Sequence, residues 1–103
     1  MKEPIIVGMD NFESDVLNSE KTVLLDFWAE WCGPCRLLSP TVDEIASERD
    51  DIVVGKVNVD NEEQLAAMFG VQSIPTLAVV KKGEVAEMSV GVKSKEAILA
   101  MLD

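Results

Sequence analysis

The stretch Val23-Leu24-Leu25-Asp26-Phe27-Trp28-Ala29-Glu30-Trp31-Cys32-Gly33-Pro34-Cys35 decides the fold. Its first half, Thr22 to Trp28, is the most apolar part of the chain. A near-continuous apolar run fits a parallel central strand covered on both faces. The run gives way to a helix pattern that begins near Pro34 and reaches about Arg49. At the junction stand the only two cysteines of the chain, Cys32 and Cys35. A strand followed by Cys-x-x-Cys at a helix start reads as a redox motif. The first N–H groups of a helix lack intrahelical partners, and the macrodipole leaves partial positive charge there. A thiol at that end, Cys32, should ionise more easily, and the thiolate is the nucleophile. Cys35, one turn on, lies within reach of a disulfide. Gly33 is read as allowing another backbone to approach, and Pro34 suits a first helical turn, where no N–H is needed.

Three plainer readings compete. Unreactive buried cysteines have no need of Gly-Pro between them. Zinc asks for four ligands, and two thiols with no histidine supply two, so only a dimer could complete such a site. A structural disulfide across so short a span closes almost no loop and constrains the unfolded chain little.

Working outward, Asp26 is the second informative residue. Alternation puts it on the face of Leu24 and Trp28, where a carboxylate is costly unless paired or protonated. Ile52 to Val59 reads as the next strand, and Lys56 lies on its Ile52-Val54 row. If the two strands are neighbours with those faces aligned, each charge partly answers the other. The alternative is that Lys56 snorkels to solvent and Asp26 lies at a wet strand end.

The remaining elements are simpler. Ile5-Ile6-Val7 is a short strand. Asp10 with Glu13 has a capping-box layout for a helix to about Asn18, with Phe12, Val16 and Leu17 as its apolar stripe. Leu38, Val42, Ile45 and Ala46 mark the inward face of the helix after Cys32, and Pro40 inside it should produce a kink. Glu62 to Phe69 is a short helix with Leu65, Met68 and Phe69 inward, stopped by Gly70. Pro75 stands at the entrance of the strand Leu77-Ala78-Val79-Val80, a place that suits an edge or a cis turn. Lys82-Gly83 is a hairpin turn leading to a strand from Glu84 through Val90, which Gly91 interrupts. Ser94 caps a last helix carrying Ala97, Ile98, Met101 and Leu102. The order β-α-β-α-β-α-β-β-α predicts an α/β fold in which helices cover both faces of one mixed sheet of five strands.

Composition sets the outer bounds. The 103 residues suffice for one domain, 1–103, with one core. Nine Lys and Arg against 19 Asp and Glu give a net charge of −10, which argues against nucleic acid and anionic membranes as partners. The opening Met1-Lys2-Glu3-Pro4-Ile5-Ile6-Val7-Gly8 lacks a signal-peptide layout, and no run approaches transmembrane length. A cytoplasmic address is expected, where a cysteine pair is catalytic or redox-sensing rather than a staple.

Trp28-Ala29-Glu30-Trp31-Cys32-Gly33-Pro34-Cys35, Ile74-Pro75-Thr76 and the lone Gly91 resemble the thioredoxin family, in order along the whole chain. That family is itself a standard example of cysteine activation at a helix end. The resemblance implies the thioredoxin fold and a dithiol–disulfide oxidoreductase acting as a protein-disulfide reductase and electron carrier. It implies Cys32 as the exposed attacking thiolate and Cys35 as the thiol that resolves the mixed disulfide. Asp26 becomes the buried acid/base that exchanges a proton with Cys35, and Lys56 its charged neighbour. Pro75 becomes a cis-proline beside the disulfide, with adjacent backbone accepting the substrate as an added strand. Trp31, Gly33, Pro34, Ile74, Val90, Gly91 and Val92 become an apolar docking rim, with Trp28 and Pro40 as structural support. The implied partners are a thioredoxin reductase drawing on NADPH and disulfide-containing proteins. A monomer is expected, with neither metal nor bound cofactor. Arg36, Ser73 and Val80 depart from the commonest family residues, Lys, Gly and Phe. Two rival functions remain, an oxidant or isomerase and a binding module with incidental thiols. The absence of a histidine between the cysteines speaks against the oxidant.

Overall fold

The computed structural model describes residues 3–103; Met1 and Lys2, the first residues of the N-terminal stretch read above, lie outside it. Strand β2 (Thr22–Trp28) occupies the middle of a five-stranded sheet in the order β1-β3-β2-β4-β5. It pairs in parallel with β3 (Ile52–Asn58) and antiparallel with β4 (Thr76–Lys81). The short β1 (Ile5–Ile6) extends the parallel side, and β5 (Glu84–Val90) the antiparallel side.

Alternation along β2 divides the core. Val23, Leu25 and Phe27 face one apolar cluster with Phe12, Val16 and Leu65, under helices α1 (Met9–Phe12, prolonged by a π-helical turn Glu13–Leu17) and α3 (Glu63–Met68). Leu24 faces the other, with Leu38, Val42, Ile45 and Ala46 of α2 (Gly33–Glu48) and Ile98 and Leu102 of α4 (Lys95–Leu102). Both faces of β2 are therefore covered, as an unbroken apolar run requires. α2 carries Pro40 without interruption, although the missing N–H leaves the Arg36 carbonyl without its intrahelical donor.

The turn chemistry follows the expected rules. Lys82 and Gly83 take φ of 52° and 79°, the pair of positive values that a tight two-residue hairpin needs. The Ser94 hydroxyl accepts the Ala97 N–H at 3.1 Å and starts α4.

Three expectations are corrected. Gly8, not Asp10, caps α1: the Asn11 side chain accepts the Gly8 N–H at 2.8 Å, and Glu62 accepts the Met9 N–H at 3.1 Å. These acceptors satisfy the free donors two residues earlier, so the helix begins sooner. Met68 and Leu17 are exposed rather than inward, because Leu65 and Phe69 take the inward places around α3 and Val16 takes that of the π-helical turn. Ala97 is exposed too, leaving Ile98 and Leu102 as the anchors of α4. The space over Gly33 is open: a Cβ there would meet nothing within 4 Å.

Candidate functional site

The site forms where β2 hands the chain to α2. Ala29 is buried under the turn, and Cys32, in extended conformation, is the N-cap of α2. Pro34 fills the first helical turn, where its missing N–H costs nothing. Cys32 and Cys35 are joined in a disulfide, with Cα atoms 5.3 Å apart. The Cys35 N–H also donates to the Cys32 Sγ at 3.1 Å. A free backbone donor at the positive end of a 16-residue helix thus points at one particular sulfur.

Neither cysteine is the more open of the two: both are 4% exposed. The expectation of an exposed Cys32 is not met in this disulfide state, because its Sγ is turned into the bond and lies 3.8 Å from the Ile74 carbonyl oxygen. A disulfide sulfur carries no proton, so that approach is a contact rather than a hydrogen bond. The openness belongs to the flanking residues. Trp31, Gly33 and Pro34 are exposed on one side, and Val90 and Val92 on the other.

The far wall is the segment Ile74-Pro75, joined by a cis peptide bond. The Pro75 carbonyl accepts the Gly91 N–H at 2.8 Å, tying the two parts of that wall together. Gly91 has φ of 97°, a conformation that L side chains rarely adopt. Trp28 and Ile74 are half-buried and pack against the Ala29, Cys32 and Cys35 cluster. Pro40 lies on the exposed side of α2, away from that cluster.

Beneath the cysteines is a cavity of about 230 Å³ whose walls include Asp26, Cys35, Ser39, Lys56 and Trp28. That is room for several waters. Asp26 is 2% exposed, and its Oδ1 has no hydrogen-bond partner among the described residues. Burial raises its carboxyl from the ordinary 3.8 to about 6; Lys56 draws it down and Asp43 adds to the rise.

Asp26 and Lys56 stand opposite each other in the β2–β3 register, as the shared-face reading expects. Their side chains do not pair. The Lys56 ammonium donates to the Ser39 Oγ at 2.7 Å and meets the Asp43 Oδ1 at 3.0 Å. Partners on α2 capture the lysine because that helix covers the same face of the sheet.

Several participants escaped the sequence reading. Ser39 and Asp43 are spaced i, i+4 on α2, which places them on one face. That spacing, with Lys56 on the row that α2 covers, was the available signal. The Trp31 indole donates to the Asp60 Oδ2 at 2.9 Å and is tied by it to the segment that follows β3. Leu37, 73% exposed, shares a helix face with Pro34; its displacement from the inward stripe of Leu38, Val42 and Ile45 was readable. Arg36 donates to the Glu30 carbonyl at 3.3 Å. Among the described residues no group of three or more His, Cys, Asp or Glu is placed to hold a metal ion, and no helix is long and apolar enough to cross a membrane.

Comparison with known proteins agrees with this geometry. The family profile described as Thioredoxin matches residues 3–103. A thioredoxin of Streptomyces clavuligerus is 52% identical over 90 residues, covering 87% of this chain and 84% of that protein. One of Acidithiobacillus ferridurans is 44% identical over 100 residues, covering 96% of this chain and 93% of that protein. Among solved structures, a single-site mutant of the thioredoxin from Halobacterium salinarum superposes with a TM-score of 0.90 at 37% identity, covering 98% of this chain and 88% of that one.

Proposed function

The chain belongs to the thioredoxin family and is a thiol–disulfide oxidoreductase, and from that premise we propose how its residues divide the work. The reduced Cys32 thiolate attacks one sulfur of a substrate disulfide. The Cys32–substrate bond forms, the substrate S–S bond breaks, and the other substrate sulfur leaves as a thiolate that takes a proton from water. Cys35 then gives its proton to the Asp26 carboxylate through water in the cavity and attacks the Cys32 sulfur. The substrate's second sulfur leaves, and the Cys32–Cys35 disulfide carries the two electrons' worth of oxidation.

One observation carries this assignment: the Cys35 N–H directed at the Cys32 Sγ from a helix end. The donor favours negative charge on Cys32 and makes it the attacking sulfur. The open space over Gly33 leaves room for a substrate backbone, which would pair with the Ile74-Pro75 segment as an added strand. Trp31, Gly33, Pro34, Ile74, Val90, Gly91 and Val92 form the docking rim, to which Leu37 is added. Trp28 supports the motif from beneath, and Pro40 shapes α2. The chain acts as one domain and a monomer in the cytoplasm. It carries electrons from a thioredoxin reductase, which draws them from NADPH, to disulfide-containing proteins, and holds no cofactor of its own.

A catalytic amount of the protein should accelerate reduction of an accessible protein disulfide by excess dithiol. Cys32→Ser should abolish the acceleration, and Cys35→Ser should accumulate a mixed disulfide visible by mass spectrometry. A fully active Cys32→Ser variant would overturn the assignment.

A further inference from the structure

The charged residues around the cavity are arranged in a way that the dithiol chemistry alone does not require. In the sheet register Lys56 is the direct neighbour of Asp26 on the same face. Directly opposite positions bring side chains close enough to pair. The Asp26 Oδ1 nevertheless has no hydrogen-bond partner among the described residues. The lysine's ammonium is committed instead to the Ser39 Oγ at 2.7 Å and the Asp43 Oδ1 at 3.0 Å. Ser39 and Asp43 sit one turn apart on α2, so both acceptors are presented from one rigid helix face.

We propose that Ser39 and Asp43 form a clasp that withholds Lys56 from Asp26, leaving the Asp26 carboxyl free to take up and return the Cys35 proton. Ser39 and Asp43 are positioning residues in this account and act through the lysine. The proposal rests on the reading of Asp26 as the proton acceptor for Cys35.

An ammonium in contact with a buried carboxylate holds it ionised, and the Coulomb attraction falls inversely with separation. With the lysine drawn to the helix, burial dominates and the carboxyl moves up towards neutrality. The other groups facing Asp26 do not substitute for the lysine. Leu77 is its partner on β4, Glu30 and Arg36 lie on the cavity wall from the loop and α2, and Cys35 is bound in the disulfide. Arg36 is turned to the Glu30 carbonyl. Ser39 is the informative member of the clasp, since removing its hydroxyl changes no charge.

The test follows the Asp26 carboxyl by carbon-13 NMR through a pH titration of the oxidised protein. Ser39→Ala should lower its midpoint, raising its ionisation constant about threefold, or roughly half a pH unit. Asp43→Asn should lower it further, because a nearby negative charge goes as well. In a Lys56→Met background the Ser39→Ala effect should vanish. The low-pH limb of mixed-disulfide release should move with the titration. A midpoint that Ser39→Ala leaves in place overturns the clasp, and so does an equal shift in the Lys56→Met background. A shifted titration with release insensitive to Asp26 would instead support the clasp and refute the proton-exchange reading, so the two failures are distinguishable.

Discussion

Asp26→Asn should make this protein more stable, and by an amount that depends on pH. The carboxyl is 2% exposed and titrates at about 6 instead of 3.8. In the native state it is therefore harder to ionise than in the unfolded chain. Between those two values the folded form binds the more protons, so stability falls as pH rises through the window. Below 3.8 both states are protonated and the group contributes no difference. Above about 6 both are ionised, and the native state bears the full cost. At 1.36 kcal/mol for each pKa unit that cost is about 3 kcal/mol. Asparagine is nearly isosteric and carries no charge, so Asp26→Asn should gain about 3 kcal/mol at pH 8, roughly half of that at pH 5, and little at pH 3.5. Urea unfolding of the oxidised protein at the three pH values measures each difference, and an unchanged slope with denaturant would show that the compactness of neither state moved. A gain of the same size at all three values would refute the reasoning. It would mean that burying the polar group, rather than ionising it, is what costs.

Two further predictions concern the frame of the site. Ser94→Ala removes the hydroxyl that accepts the Ala97 N–H and should destabilise the protein by about 1 kcal/mol; urea unfolding checks it, and an unshifted midpoint would show that solvent replaces the cap without loss. Gly91→Ala forces a side chain into φ of 97° and should cost about 1–2 kcal/mol. It should also raise the KM for a protein disulfide more than it lowers kcat, because the Gly91 N–H bond to Pro75 positions the docking wall rather than the sulfurs. An unchanged KM in steady-state reduction assays would exclude that role.

Much of the fold could be read because local and global requirements coincide in it. β2 is apolar on both rows because it is central, and its alternation already separated the Leu25 face from the Leu24 face. Lys82-Gly83 and Ser94 announce their elements through chemistry that acts within a few residues. The errors arise where distant residues decide. The start of α1 is set partly by Glu62, separated by 53 residues from the N–H it accepts. Periodicity could place Met68 and Leu17 on a stripe, but not say that Leu65, Phe69 and Val16 would fill the space against the sheet. The cysteine motif was legible at the level of which sulfurs meet. The burial of Cys32 was not, since it follows from the Ile74 carbonyl brought across from another part of the chain.

The Asp26–Lys56 pair shows most sharply where such reading stops. Alternation and strand adjacency put two opposite charges side by side, and the simplest expectation is an ion pair. The structure keeps the adjacency and breaks the pair, because α2 offers the lysine two acceptors of its own. Stability alone would not favour that outcome. A buried carboxyl with an unpartnered oxygen is costly, and a contact with the lysine one strand away would lower the cost. A second arrangement, asparagine at position 26, would remove the ionisation cost altogether. The chain has neither. A carboxyl kept uncommitted beside a cavity with room for several waters and next to Cys35 makes sense as a group that must gain and lose a proton. A fold optimised only to persist would have given it a partner.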